Sequence, residues 1–159
     1  MKLERTHDME VVGAILAHPA IAPHIGDDGA TDHAPMDYEG FHWMLVTSDD
    51  GSVGGVFLVH AANSFTYEMH TCLLPSMWGA PAKAAAKLLG DWVFDETACE
   101  KLVTKVPVYN RKALRFAKAG GMVEEGNNRA SFKRNGTMID QIILGITKQE
   151  WTTCQQHCQ

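Results

Sequence analysis

The sequence predicts one α/β domain whose mixed, mostly antiparallel central sheet has about seven strands with helices on both faces. Three features indicate this fold class: a run of short apolar stretches joined by turns, then a strand, helix, strand, helix order, and finally two long stretches separated by Asn135-Gly136. A domain with this element order buries its sheet between layers of helix.

The first forty residues predict a strand, a helix and an irregular segment. Residues 2–5 predict a short strand, and Asp8 is placed to cap a helix that Pro19 limits. Residues 19–40 are rich in Pro, Gly, Asp and His, which favours irregular backbone with one short helical turn. Long segments of this kind often border a binding site. The apolar residues of this predicted helix recur at helical spacing: Val11, Val12, Ile15 and Leu16.

Three antiparallel strands are predicted next. Residues 41–47 and 53–60 are apolar stretches joined by a turn that contains Asp50-Gly51, and an Asp-Gly pair favours a hairpin. A third stretch, 65–74, ends at Pro75, which cannot donate a ladder hydrogen bond.

The second half of the chain predicts two helices and three more strands. The alanine-rich stretch 79–97 carries an apolar stripe at helical spacing and is the longest predicted helix. Residues 102–106 predict a strand, and 110–119 predict a helix that Gly120-Gly121 caps. The terminal hairpin is predicted to comprise 122–134 and 137–147.

Length, charge and composition exclude several classes of protein. A chain of 159 residues suits one domain, which we expect over residues 1–151, followed by a polar C-terminal tail at 152–159. A net charge of -5 gives no general attraction for nucleic acid, and no apolar run has the ~20 residues needed to cross a bilayer. The spacing of the four cysteines and eight histidines predicts reduced thiols and no metal site. We therefore expect a cytoplasmic protein that binds neither nucleic acid nor membrane.

Two stretches of the C-terminal half resemble a known family. Residues 106–113 (VPVYNRKA) and 119–126 (AGGMVEEG) combine a strand, an asparagine, a helix, a glycine pair and a Glu-Gly. Together with the element order they resemble the GNAT superfamily of N-acetyltransferases, from residue 1 to about 151. Asn135-Gly136, Asp140 and Glu150-Trp151 are similar to the branch that acetylates the N-termini of ribosomal proteins. There is also a looser resemblance to GNAT-fold proteins of tailed bacteriophages.

The resemblance implies an acetyl-CoA site at the start of the long helix, where main-chain N–H groups of the family face the pyrophosphate. Residues 75–83 keep Trp78 and Gly79, while Pro81 stands at the family's second glycine. Proline removes one donor but suits a first helical turn. The alternative is a plain proline-started helix that binds nothing. The implied phosphate contacts are the N–H groups of Gly79, Ala80, Ala82 and Lys83, with the Lys83 side chain.

The same resemblance implies further cofactor contacts. In the family, the strand before the long helix opens beside its parallel neighbour, and main-chain groups there hold the pantetheine and polarise the thioester carbonyl. By position these groups belong to Cys72, Leu73 and Leu74, and main-chain contacts tolerate almost any side chain. Asn110 matches an asparagine whose amide touches the cofactor, and it also suits a helix N-cap.

Two residues of the stretch 65–74 are candidates for catalysis. Acetyl transfer to an amine needs a base, and strand alternation places Glu68 and His70 on one face. His70 is the better candidate because imidazole titrates near neutral pH. The alternative is that His70 packs against the long helix and Glu68 pairs with a neighbour. Ala117 stands where many family members have a tyrosine that acts as an acid.

The sequence leaves two hypotheses for function, from different classes. The first is an N-acetyltransferase that uses acetyl-CoA as cosubstrate and acts on a primary amine of a protein or small molecule, with a homodimer as the candidate assembly. The alternative is a catalytically inactive GNAT-fold structural or interaction protein, phage-encoded, with other phage structural proteins as partners. A CoA-sensing domain without turnover lies between them. Pro81 and Ala117 favour loss of catalysis, whereas Trp78-Gly79, Asn110 and His70 favour the enzyme.

Overall fold

The computed structural model describes residues 1–30 and 34–157. Two 3₁₀ turns, Ala22–His24 and Pro75–Met77, accompany the regular elements. Among the described residues, no helix is both long enough and apolar enough to span a bilayer. In chain order the elements are β1 (Lys2–Arg5), α1 (Met9–Leu16), β2 (Phe41–Thr47), β3 (Val53–Ala61), β4 (Thr66–Leu73), α2 (Ala80–Glu96), β5 (Lys101–Pro107), α3 (Arg111–Ala119), β6 (Val123–Arg134), β7 (Thr137–Thr147) and α4 (Lys148–His157).

All seven strands join one mixed sheet in the order β1-β2-β3-β4-β5-β7-β6. Strand β4 runs parallel to β5, with Thr66 opposite Lys101 and Glu68 opposite Val103. The pairs β1–β2, β2–β3, β5–β7 and β6–β7 are antiparallel. The predicted fold class is therefore confirmed, and each end of a strand lies within one residue of the predicted position.

Contacts between residues divide the chain into two compact units. The N-terminal unit comprises Met1–His60 and Met69–Leu89, and the C-terminal unit comprises Ala61–Glu68 and Gly90–Gln159. Strand β4 passes from the second unit into the first after Glu68. The expectation of one domain over residues 1–151 stays a prediction.

The sheet of the N-terminal unit is buried on both faces. On one face, Trp43 of β2 and Val56 of β3 pack with Val12 and Ile15 of α1. On the other face, Met44 and its neighbours on β2 and β3 are equally buried. As predicted, Asp8 caps α1, because its carboxylate accepts from the N–H groups of Glu10 and Val11 at 3.1 Å. Strands β2 and β3 thus provide a rigid support for the end of β4.

Helix α4 is the element that the sequence analysis missed. The predicted polar tail from residue 152 instead continues a helix that begins at Lys148. Thr147 and Glu150 start it reciprocally: the Glu150 carboxylate accepts from the Thr147 N–H at 2.8 Å, and the Thr147 hydroxyl accepts from the Glu150 N–H at 3.2 Å. This is a capping box, so its spacing was a visible signal of a helix start.

Trp151 holds α4 against α2 within the C-terminal unit. The indole N–H donates to the Asp91 carboxylate at 3.2 Å, and the ring lies 6.1 Å from that of Phe94. Gly90 makes room for this ring, since a Cβ there would meet indole atoms at 2.4 to 2.7 Å. The close approach of the two helices therefore requires glycine at position 90.

Gly90→Ala should destabilise the protein, even though alanine is about 1 kcal/mol better than glycine within a helix. The added methyl collides with the Trp151 ring, and such overpacking typically costs about 1–3 kcal/mol. Gly13→Ala is the matched control, because a Cβ at Gly13 of α1 meets Pro35 at an ordinary 3.5 Å. Urea unfolding of both variants should give effects of opposite sign. A stabilised Gly90→Ala protein would contradict the packing of Trp151.

Candidate functional site

The candidate site lies in the N-terminal unit, where β4 ends and the chain turns into α2. We call residues 74–79 the β4–α2 turn. It begins with Leu74, forms the 3₁₀ turn Pro75–Met77, and reaches α2 through Trp78 and Gly79. Apart from Asn110, the predicted cofactor residues therefore lie within this turn or directly before and after it in the chain.

Two glycines of β3 let the end of β4 approach closely. The Leu74 N–H donates to the Gly54 carbonyl at 2.9 Å. A Cβ on Gly55 would lie 2.5 Å from the Cys72 carbonyl oxygen and 2.7 Å from the Leu73 Cα. Gly55 also has a φ of +137°, a conformation that other residues rarely adopt. Glycine at position 55 is thus required by both space and backbone conformation.

The turn itself is anchored by two side chains. The Trp78 indole N–H donates to the Leu73 carbonyl at 3.2 Å, while the ring remains 48% exposed. Met77 is 2% exposed and packs against Gly54, and the Ser48 hydroxyl donates to its sulfur at 3.5 Å. The turn therefore has a fixed shape and presents a large aromatic surface.

Gly79 lies directly before α2, next to open space. Its φ is +93°, and a Cβ there would meet nothing within 4 Å. The helix begins at Ala80, so the first-turn N–H groups, including that of Ala82, have no acceptor within the helix. The Lys83 N–H, which the sequence suggested as a phosphate contact, donates instead to the Gly79 carbonyl at 3.3 Å. The Lys83 side chain is then the part of this residue that can attract an anion.

The electrostatics of this helix start favour an anion. The positive end of the helix dipole lies there, and the first turn of α2 contains no acidic side chain. Pro81 occupies the second helical position and lacks an N–H, so it removes one donor without disturbing the helix. The arrangement suits a phosphate group, and the predicted contact with a cofactor phosphate stays a prediction.

The main-chain groups predicted at the end of β4 are partly occupied within the chain. The Leu73 carbonyl accepts from Trp78, and the Leu74 N–H donates to Gly54, as described above. The Cys72 side chain is buried, and burial raises the pKa of its thiol to about 12. Its thiol stays protonated at neutral pH and is not a nucleophile.

His70 lies exposed on β4, and an imidazole of β3 is its neighbour. The Nε2 atoms of His70 and His60 are 3.3 Å apart. His60 is half-buried, and its ring lies 5.2 Å from that of Phe41 at an interplanar angle of 26°. Exposure favours proton transfer over the alternative in which His70 is a packed residue.

Glu68, the second catalytic candidate, belongs to the C-terminal unit. Its carboxylate lies 2.8 Å from the Lys105 ammonium of β5, and its side chain is 12% exposed. This ion pair is the pairing with a neighbour that the sequence left open as an alternative. The carboxylate is therefore committed to a cation within its own unit.

Asn110 has the capping role expected of it. Its side-chain oxygen accepts from the Ala113 N–H at 3.2 Å at the start of α3, also in the C-terminal unit. The amide nitrogen does not take part in that bond. Its contact with a cofactor stays a prediction. Ala117 of the same helix is 5% exposed. Its methyl side chain has no hydroxyl that could act as an acid.

Other parts of the described chain offer less chemistry. Among the described residues, no three His, Cys, Asp or Glu side chains are grouped so as to hold a metal ion. A cavity of about 370 Å³ lies in the C-terminal unit, but its one carboxylate, Glu150, is occupied in capping α4. The cavity is lined by Gly121, Val123, Gln149, Glu150, Thr153 and Cys154.

Sequence reasoning missed His60, Gly54 and Gly55 as members of the site. Consecutive glycines inside an apolar strand are a visible signal of close backbone approach. His60 gave no comparable signal, because its distance from His70 depends on the register of β3 with β4.

Solved structures share this architecture. A spermidine N-acetyltransferase from Vibrio cholerae in complex with CoA and spermine matches with a TM-score of 0.79 at 16% identity, over 95% of this chain and 97% of that one. A mutant form of the Vibrio cholerae enzyme matches with a TM-score of 0.80 at 16% identity, over 98% of this chain and 99% of that one. A spermidine/spermine N-acetyltransferase from Vibrio cholerae in complex with manganese ions matches with a TM-score of 0.66 at 21% identity, over 73% of this chain and 70% of that one.

Comparisons of sequence alone find less. No protein-family model matches the chain, and no curated protein is significantly similar in sequence. At these identities the structural likeness shows the fold alone. The chain has the fold of the GNAT N-acetyltransferases.

Proposed function

We propose that the protein is an N-acetyltransferase that moves an acetyl group from acetyl-CoA to a primary amine. The observation that carries the proposal is the β4–α2 turn, where Gly79 in a left-handed conformation opens a helix whose first turn lacks acidic side chains. The Vibrio cholerae enzyme with the same fold binds CoA and spermine, which supports an acyl-CoA donor and an amine acceptor here.

The donor would bind mainly to the main chain. The N–H groups of Gly79, Ala80 and Ala82 would contact the pyrophosphate, with the Lys83 ammonium as the nearest cation in sequence. The pantetheine would run along the main chain of Cys72, Leu73 and Leu74. Trp78 would offer its exposed ring, and the Asn110 amide is proposed as a further contact.

The acceptor is proposed to be a small cationic amine. The net charge of -5 favours cations, and the irregular segment before β2 contributes carboxylates in the N-terminal unit. Exposed examples in that segment are Asp27 and Glu39. A protein N-terminus, as in the branch that acetylates ribosomal proteins, is the second choice. Either acceptor implies a cytoplasmic enzyme.

His70 is proposed as the base, because it is the exposed imidazole next to the predicted pantetheine residues. It would take a proton from the ammonium of the acceptor, whose nitrogen then attacks the thioester carbonyl carbon. A carbon–nitrogen bond forms, the carbon–sulfur bond breaks, and the thiolate is protonated as CoA leaves. The buried Ala117 supplies no acid, so that proton must come from the amine or from water.

A catalytically inactive structural or interaction protein is the second candidate, whether phage-encoded in a virion or not. Two observations favour it: Pro81 removes one donor from the phosphate site, and Ala117 stands where the family's acid is expected. Loss of turnover with retention of the fold would explain both.

The direct test is a turnover assay with acetyl-CoA and a panel of amines that includes a polyamine, lysine, a small monoamine and a peptide N-terminus. We expect free thiol to appear only when acceptor is present, in equal amount to N-acetyl product found by mass spectrometry. If no amine is acetylated while acetyl-CoA still raises the melting temperature, the CoA-sensing alternative holds instead.

Gly79→Asp should weaken acetyl-CoA binding by about tenfold or more, a change of about 1.4 kcal/mol or more, measured by calorimetry. The carboxylate would repel phosphate at the positive end of α2. Gly79→Ala is the matched control, since both variants carry a side chain at the same positive φ and only one carries charge. Equal losses in the two variants would mean that backbone strain, not phosphate contact, explains the effect.

His70→Gln should lower turnover by ~10²-fold or more while acetyl-CoA affinity stays unchanged, because a positioned base typically contributes this factor. Glutamine keeps hydrogen bonding but does not accept the proton. Wild-type turnover should also fall as the pH falls, because the protonated imidazole cannot act as a base. A variant with full activity and the wild-type pH profile would show that His70 is not the base.

A further inference from the structure

We propose that His60 and His70 form a coupled imidazole pair that shares one proton and takes up a further proton as a unit. The inference deepens the proposed function, on which its catalytic part rests, by assigning His60 as the positioning residue for the base. It depends on two neighbouring residues of β3 and β4 in the N-terminal unit.

The geometry of the two rings indicates a hydrogen bond and not a face-to-face stack. The ring planes are nearly parallel, at 17°, but the centroids are 5.5 Å apart while the Nε2 atoms are 3.3 Å apart. The centroid distance is about the nitrogen–nitrogen distance plus one ring radius on each side. The two Nε2 atoms therefore point at each other along the line that joins the rings.

A hydrogen bond between two Nε2 atoms restricts where protons can lie. In the neutral pair, one Nε2 must carry hydrogen and the other must accept it, so the two rings adopt opposite tautomers. After one proton is added, a charged imidazolium still donates to a neutral acceptor, and this bond is stronger than the neutral one. A second added proton would place two N–H groups and two charges against each other.

The consequence is that the pair accepts its first proton more readily than a lone imidazole does, and its second less readily. Each uptake of a proton therefore belongs to the pair and not to either ring alone. Phe41 fixes the orientation of His60 through the ring contact described above. The pair thus holds His70 in one tautomer and one orientation toward the acceptor.

In the proposed reaction the pair acts as a one-proton acceptor. The ammonium of the acceptor gives one proton to the neutral pair, and the freed nitrogen lone pair attacks the thioester carbonyl carbon. The carbon–nitrogen bond forms, the carbon–sulfur electrons leave with the thiolate, and the second amine proton neutralises that thiolate. The pair then returns its proton to solvent, so protons and electrons balance.

Charged and titratable groups around the pair are the same in the wild type and the variants used to test it. From β1, the Arg5 guanidinium donates to the Phe41 carbonyl at 3.4 Å. From the segment before β2, the Tyr38 ring meets Phe41 edge to face, with centroids 5.5 Å apart. On β4 itself, Glu68 precedes His70 by two residues and is paired with Lys105. Their effects cancel when variants of His60 are compared.

The test is an NMR titration of the histidine ring protons in the wild type, His60→Phe and His70→Phe. Phenylalanine keeps a ring against Phe41 but has no nitrogen. In the wild type, both rings should respond to the same two steps, separated by about one pH unit or more. In His60→Phe, His70 should titrate in one step between them. His24→Phe, which changes an exposed histidine of the 3₁₀ turn, should leave both steps in place.

His60→Gln gives a second route if His60→Phe folds poorly, since glutamine offers a hydrogen-bond partner without a titrating ring. It should likewise leave His70 with one step. The proposed pair is overturned if each histidine of the wild type titrates in a single step, and if the midpoint of that step does not change when the other histidine is replaced. Because the titration needs no substrate, a coupled titration without acetylation of any amine would uphold the pair and remove the proposed function.

The catalytic part has its own readout. The fall of kcat/KM at low pH should begin at lower pH in His60→Phe than in the wild type, because the hydrogen bond that favours protonation of the pair is lost. Acetyl-CoA affinity should not change. An unmoved pH profile would overturn the role of His60 in positioning the base, even in an enzyme that acetylates amines.

Discussion

The candidate site depends on the close approach of β3 to the end of β4. The hydrogen bond from the Leu74 N–H to the Gly54 carbonyl joins the two strands just before the turn. Only glycine at position 55 allows this approach, because the Cβ of any other residue would collide with the Cys72 carbonyl. Met77 then fills the space above Gly54, and Trp78 bonds back to Leu73. The position of Gly79 at the start of α2 follows from these contacts.

A site of the proposed kind, made largely of main-chain groups, would leave few recognisable side chains in the sequence. Phosphate and pantetheine contacts of this type need a backbone path, and the path is set by glycines and buried side chains at other positions. Pro81 is tolerated because a second helical position has no N–H bond within the helix to lose. The substitution thus reduces the number of donors without altering the turn that presents the others.

The fold could be predicted from the sequence much further than the site. Asp50-Gly51 and Asn135-Gly136 mark their hairpins, and Asp8 and Asn110 mark helix starts, because these are local interactions between neighbouring residues. Helix α4 carried a local signal as well, the Thr147-Glu150 capping box, which the polar composition of the tail obscured. The pairing of His60 with His70 had no local signal, since ten residues separate them and strand register decides their distance.

The most direct measurement is an amide NMR titration of the isotopically labelled protein with acetyl-CoA. The account predicts that the largest changes fall on the amides of Gly79, Ala80 and Ala82 and on the indole N–H of Trp78. The amides of the Asn135-Gly136 turn should stay unchanged. Saturable binding that moves the turn amides of the β6–β7 hairpin and leaves Gly79, Ala80 and Ala82 unaltered would contradict the placement of the donor. Absence of any change at near-millimolar acetyl-CoA would contradict the proposed function itself.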